Sequence, residues 1–154
     1  KDITLDVSQR VQAILRSKGI KSVMTRTDDT FVSLEDRVNL SEAETPEIFV
    51  SIHVNSAVSE NPNGIETHWY HEYSKPLAET VHEHFIKEFP NLKDRGLFKS
   101  KFYVINHTTC PAILCEIGFL SNPEERTDLI TETRKQKTAK AIADGIIEYL
   151  KGGK

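Results

Sequence analysis

Two side chains stand where their neighbours leave chemistry as the reason for them. One is His53, in the run Ile-Phe-Val-Ser-Ile-His-Val-Asn over 48–55, and the other is Glu116, closing Pro-Ala-Ile-Leu-Cys-Glu over 111–116. Alternation along an extended segment puts Phe49, Ser51, His53 and Asn55 on one face and Val50, Ile52 and Val54 on the other, so the first face turns polar toward its carboxyl end. A neutral imidazole there can bind a metal ion or move a proton. The competing reading of His53 is a hydrogen-bonded core histidine. Glu116 follows a run of apolar residues, and a carboxylate buried alone is so unfavourable that it must be paired, metal-bound or functional. Its competing reading is an ion pair with a basic residue such as Arg95.

The other candidates carry less. His82 and His84 lie two apart on a helical segment, about 200° around the axis, and are expected on a solvated face. His68 and His71 fall on opposite faces of an alternating stretch and His107 in a turn, so core or surface roles are the default for each. Glu66, close to Gly64, could reach the same crevice from an adjacent strand or be a solvated strand residue. Cys110 and Cys115 would lie roughly 17 Å apart in an extended segment, which excludes a disulfide unless the chain turns between them. Neither cysteine has an obvious base. The chain has no Gly-x-Ser-x-Gly elbow, Gly-rich phosphate loop or Cys-x-x-Cys pair.

The elements that must position these groups alternate in type. Ile3, Val7, Val11, Ile14 and Leu15 form one helical stripe, with Gly19 as its C-cap. Residues 20–25 (IKSVMT) read as a strand, and Ser33 caps a helix running to about Ala43. The nearly continuous apolar run at 48–55 is expected of an interior strand covered on both sides. Residues 65–72 alternate like a strand, Ser74 starts a helix stopped by Pro90, and a polar loop carries Asp94-Arg95-Gly96. Residues 102–105 (FYVI) and 111–116 read as short strands separated by a turn. Asn122-Pro123 with Glu125 marks a helix start, and Ala139, Ile142, Ala143, Ile146 and Leu150 form the stripe of a last helix beginning near Thr133. This order predicts an α/β three-layer sandwich with a mainly parallel, mixed sheet flanked by helices. In such open sheets the ligand crevice lies beyond the carboxyl ends of strands, where His53 and Glu116 fall. Folds of this kind commonly open on a strand, and this chain opens on a helix.

With 154 residues, 38% of them hydrophobic and 28% charged, the chain suits one soluble domain. Its 20 basic and 23 acidic residues give a net charge of −3, no footprint for nucleic acid or an anionic membrane. No segment is a signal peptide or is apolar for the length of a bilayer span.

Taken in order, Lys1-Asp2-Ile3-Thr4-Leu5, Thr25-Arg26-Thr27-Asp28-Asp29, Phe49-Val50-Ser51-Ile52-His53-Val54-Asn55, Asp94-Arg95-Gly96 and Pro111 through Asn122 (PAILCEIGFLSN) closely resemble the zinc-dependent N-acetylmuramoyl-L-alanine amidases of bacteria and their phages, along the whole chain. The resemblance implies that His53 is the last of the three zinc ligands and Glu116 the catalytic glutamate. The other two ligands are expected upstream of Lys1, a histidine after an opening strand and a glutamate just before the Lys-Asp pair, so residues 1–154 read as an N-terminally incomplete catalytic domain that by itself binds zinc weakly. Peptidoglycan is the implied partner, the amide between N-acetylmuramic acid and L-alanine the implied substrate, and the bacterial wall or exterior the implied location, with the protein a monomer. A non-catalytic peptidoglycan-binding or regulatory domain of the same fold is the alternative, and a metal hydrolase of another substrate would share the site. No substrate-binding residue is assigned.

Overall fold

A computed structural model describes residues 1–152. Its elements are α1 (Asp2–Ser17), α2 (Leu34–Glu44), β1 (Phe49–Asn55), β2 (Ile65–Trp69), α3 (Lys75–Glu88), β3 (Asp94–Lys99), α4 (Tyr103–His107), β4 (Ala112–Phe119), α5 (Pro123–Leu129) and α6 (Glu132–Leu150). The first helix ends as its sequence predicts. Gly19 adopts φ +75°, its N–H donates to Arg16 O and that of Ile20 to Leu15 O, the paired bonds of a Schellman cap. Ser33 and Asn122 cap α2 and α5, accepting from the backbone N–H of Asp36 and Glu125.

The strands form one sheet in the order β1-β4-β2-β3. Pairs β1/β4 and β2/β3 run parallel, and β2/β4 runs antiparallel. The sheet is therefore mixed, with two parallel pairings of three. One face carries Val50, Ile52, Ile113, Cys115, Ile117, Ile65 and Trp69 against α1, α3 and α6, and holds the larger core with Val7, Leu77, Val81, Phe85 and Ile142. On the other face Phe49, Ala112, Leu114 and Tyr70 pack with Val38 of α2 and with Val104 and Ile105 of α4. These short helices leave the carboxyl ends of β1 and β4 uncovered by that core.

Four sequence expectations change. Residues 20–25 form no strand and pair with none among the described residues. Residues 102–105 enter the helix α4 rather than a strand, because docking Val104 and Ile105 together on the second core needs helical spacing; a short apolar run does not reveal its period. The strand expected over 65–72 stops at Trp69, and Glu72–Ser74 form a 3-10 turn. Asp94–Lys99, expected as a polar loop, is an edge strand that β2 recruits by hydrogen bonding. A polar edge strand carries little periodic signal of its own.

Candidate active site

Register builds the site. His53 of β1 lies opposite Glu116 of β4, and Glu116 lies opposite Glu66 of β2. Residues opposite one another share a face, so an imidazole and two carboxyl groups stand in one row across three neighbouring strands, in the later halves of β1 and β4 and near the start of β2; β4 runs on to Phe119, past the Glu116 that was expected to close it. The next row inward is Ser51, Leu114 and His68.

Glu116 is 8% exposed, and its Oε2 is buried without a hydrogen-bond partner among the described residues. Burial, and secondarily the charge of Glu66, push its pKa up to about 7. The ion pair with Arg95 considered from sequence goes elsewhere: Arg95 Nε donates to Glu66 Oε1 at 2.8 Å. Glu66 is 6% exposed rather than solvated. It also accepts from Asn55 Nδ2 at 3.3 Å, and His68 Nε2 stands 3.4 Å from its Oε2. Two carboxyl groups in one row thus meet opposite surroundings, one hydrogen-bonded by Asn55 and Arg95 and one with a buried oxygen that has no partner among the described residues.

His53 is half-buried, with Nε2 3.1 Å from Ser51 Oγ. Burial lowers its pKa, and the positive charge of Arg37 and His68 lowers it further. The ring is therefore neutral at pH 7, the form that ligates metals. Among the described residues no three His, Cys, Asp or Glu side chains are placed to share a metal ion. His53 alone does not fit a catalytic zinc, which takes three protein ligands and keeps one open position.

Backbone geometry at the row is held from below. Gly64 has φ +109° and a Cβ there would fall 2.2 Å from Lys93 O, so β2 and β3 approach as closely as only glycine permits. Glu125, expected to act at the start of α5, instead turns its carboxylate inward and accepts from Gly64 N at 2.9 Å and Phe119 N at 2.7 Å. It ties the entry of β2 to the exit of β4.

The other histidines lie apart from the row or behind it. His68 is buried beside Glu66, bonded to Ser100 Oγ at 2.8 Å and packed against the rings of Phe98 and Phe102. His82 is not solvated: it is 7% exposed and sits between Thr67 Oγ1 at 3.0 Å and Asp94 Oδ1 at 2.9 Å. His84 meets Glu148, His71 bonds Asn106 O, and His107 stacks on Tyr103. Both cysteines are free. The sequence shows Glu125 only as a mark of the start of α5, since its bond to Gly64 joins residues far apart in the chain, and it shows Glu66 only as a residue that could reach the crevice. The bonding of Arg95 and Asn55 to Glu66 likewise depends on strand pairing.

The family model described as N-acetylmuramoyl-L-alanine amidase matches residues 1–148. YqiI of Bacillus subtilis is 39% identical over 153 residues, which span 97% of this chain and 73% of that protein. The N-acetylmuramoyl-L-alanine amidase LytC of the same organism is 36% identical, and the match spans 97% of this chain but 31% of LytC. Among solved structures, the catalytic domain of CwlV, an N-acetylmuramoyl-L-alanine amidase of Bacillus (Paenibacillus) polymyxa var. colistinus, superposes with a TM-score of 0.94 at 40% identity, covering 97% of this chain and 84% of that one.

Proposed function

We propose that this chain, which belongs to the N-acetylmuramoyl-L-alanine amidase family over residues 1–148, hydrolyses the amide between N-acetylmuramic acid and the L-alanine of the peptidoglycan stem peptide, with Glu116 as general acid and base and His53 as one ligand of a catalytic zinc. The observation that carries this reading is the buried, partnerless Oε2 of Glu116, raised to about pH 7 and in register with His53. A carboxyl group poised near the working pH exchanges protons in both directions.

As carboxylate, Glu116 accepts a proton from water while the water oxygen bonds to the carbonyl carbon of the lactyl amide. The same carboxyl then delivers that proton to the alanine nitrogen as the C–N bond breaks, leaving a lactyl carboxylic acid and a free amine. A zinc ion held by His53 together with further donors would supply a Lewis acid for the carbonyl and a more acidic water. Among the described residues His53 is the donor such an ion would take from this row. Glu66, which accepts from Asn55 and Arg95, lies beside Glu116 and adds to burial in raising the Glu116 carboxyl.

A peptidoglycan-binding module without catalysis has no use for a carboxyl group left partnerless beside an imidazole. Peptidoglycan as substrate places the work at the bacterial wall or outside the cell, and no helix of the described residues is long and apolar enough to cross a membrane. The test is digestion of purified walls by the zinc-supplied intact protein, reading new alanine amino termini. Glu116→Gln is expected to slow their release by roughly 10²–10⁴-fold. Release at the parent rate, or cleavage of a different bond, overturns the assignment.

A further inference from the structure

We propose that Arg95 is a specificity-determining residue that grips a carboxylate of the stem peptide, on the residue that follows L-alanine. The inference rests on the amidase reading above and adds a substrate contact to it.

Arg95 is the extra residue of a bulge. Ile65 pairs with Asp94 and Glu66 with Gly96, so Arg95 has no partner across the β2/β3 ladder. Bulges beside active sites re-aim a side chain, and here the side chain turns back toward the row of His53, Glu116 and Glu66. Its guanidinium is fixed twice. Nε donates to Glu66 Oε1 at 2.8 Å, and the Cζ atom lies 4.9 Å from the centroid of the Phe119 ring. Both contacts use the inner edge and one face of the plane. Neither Nη atom has a hydrogen-bond partner among the described residues, and the side chain is 28% exposed. What remains is the outer fork of a rigid guanidinium, two parallel N–H donors whose geometry matches a carboxylate.

The distance suits a neighbour of the scissile bond. Adjacent strands lie about 4.8 Å apart, so a guanidinium drawn back over β2 lies roughly one to two strand spacings from Glu116, the reach of about two residues of extended peptide. In peptidoglycan the residue after L-alanine is a glutamate joined through its side-chain carboxyl, and its α-carboxylate is either free or converted to an amide. A fork of N–H donors discriminates these two forms, because the carboxylate accepts both donors and the amide turns a donor of its own toward them.

The experiment compares two soluble ligands, N-acetylmuramoyl-L-alanyl-γ-D-glutamyl-L-lysine amide with the glutamyl α-carboxylate free and the same compound with that group as carboxamide. Binding to the 154-residue chain is measured by titration calorimetry without added metal. The parent chain is expected to prefer the carboxylate by about 10- to 100-fold, the worth of hydrogen bonds to a charged group. Arg95→Gln should bind both ligands alike, and Arg95→Lys should keep part of the preference. A purely structural role would weaken both ligands equally and leave their ratio intact. Equal binding by the parent chain, binding of neither ligand, or an undiminished preference in Arg95→Gln overturns the proposal, and the parent-chain comparison stands even if the variants fold poorly. Release of alanine amino termini from walls by the intact protein is scored separately: its absence overturns the hydrolytic reading, while the ligand preference still decides the role of Arg95.

Discussion

Replacing Glu116 by glutamine should make the folded chain more stable in alkaline solution while removing its proposed catalytic group. The Glu116 carboxyl is raised from 4.5 to about 7 by burial and by the charge of Glu66. The native state therefore holds this proton more tightly than the unfolded chain does. Its contribution to stability is fully present below about pH 4.5 and is lost as pH rises through about 7, where a buried anion must form. A shift of that size corresponds to roughly 3 kcal/mol, of which about 2.5 kcal/mol develops between pH 5 and pH 8.5. Glutamine has nearly the same shape and no charge at either pH. In urea unfolding of metal-free protein, the difference in stability between Glu116→Gln and its parent should grow in favour of the variant by about that amount between the two pH values. Other titrating groups act on both proteins and cancel in the difference. A difference that stays constant within about 0.5 kcal/mol would refute the claim that Glu116 is a destabilised, partnerless carboxyl group. Such an outcome would also remove the main support for its role as base, since stability surrendered at a site is a common companion of activity.

Two other substitutions probe the frame that holds the row. Gly145 sits where α6 crosses α3, and a Cβ there would lie 2.7 Å from Val81 Cα; Gly145→Ala should thus cost about 1–3 kcal/mol in urea unfolding despite the better helix propensity of alanine, and stabilisation would show the crossing to be loose. Glu125→Ala leaves the N–H groups of Gly64 and Phe119 without their acceptor, for an expected loss of about 2–4 kcal/mol in thermal unfolding. Activity on walls should fall with it, because those residues flank Glu66 and Glu116, and an unchanged midpoint would show that other groups hold the two strand ends together.

The amino-acid sequence alone determined the features that a single element can express. The stripe of α1 and the caps of α1 and α5 follow from local spacing and from Gly19, Asn122 and Pro123. The strands β1 and β4 follow from apolar runs too short for helices, and the face that His53 shares with Ser51 and Asn55 follows from alternation, whereas the continuation of β4 past Glu116 to Phe119 does not. Other features needed partners distant in the chain. Asp94–Lys99 is a strand only because β2 offers it a ladder, and Tyr103–His107 is helical only because Val104 and Ile105 dock on α2 and β4. Register alone brings Glu66 beside Glu116, commits Arg95 to Glu66 and buries His82 between Thr67 and Asp94. The sequence could thus nominate the two groups of the site, but their partnering and the raised pKa of Glu116 depend on which neighbours and how little water the tertiary structure leaves around them.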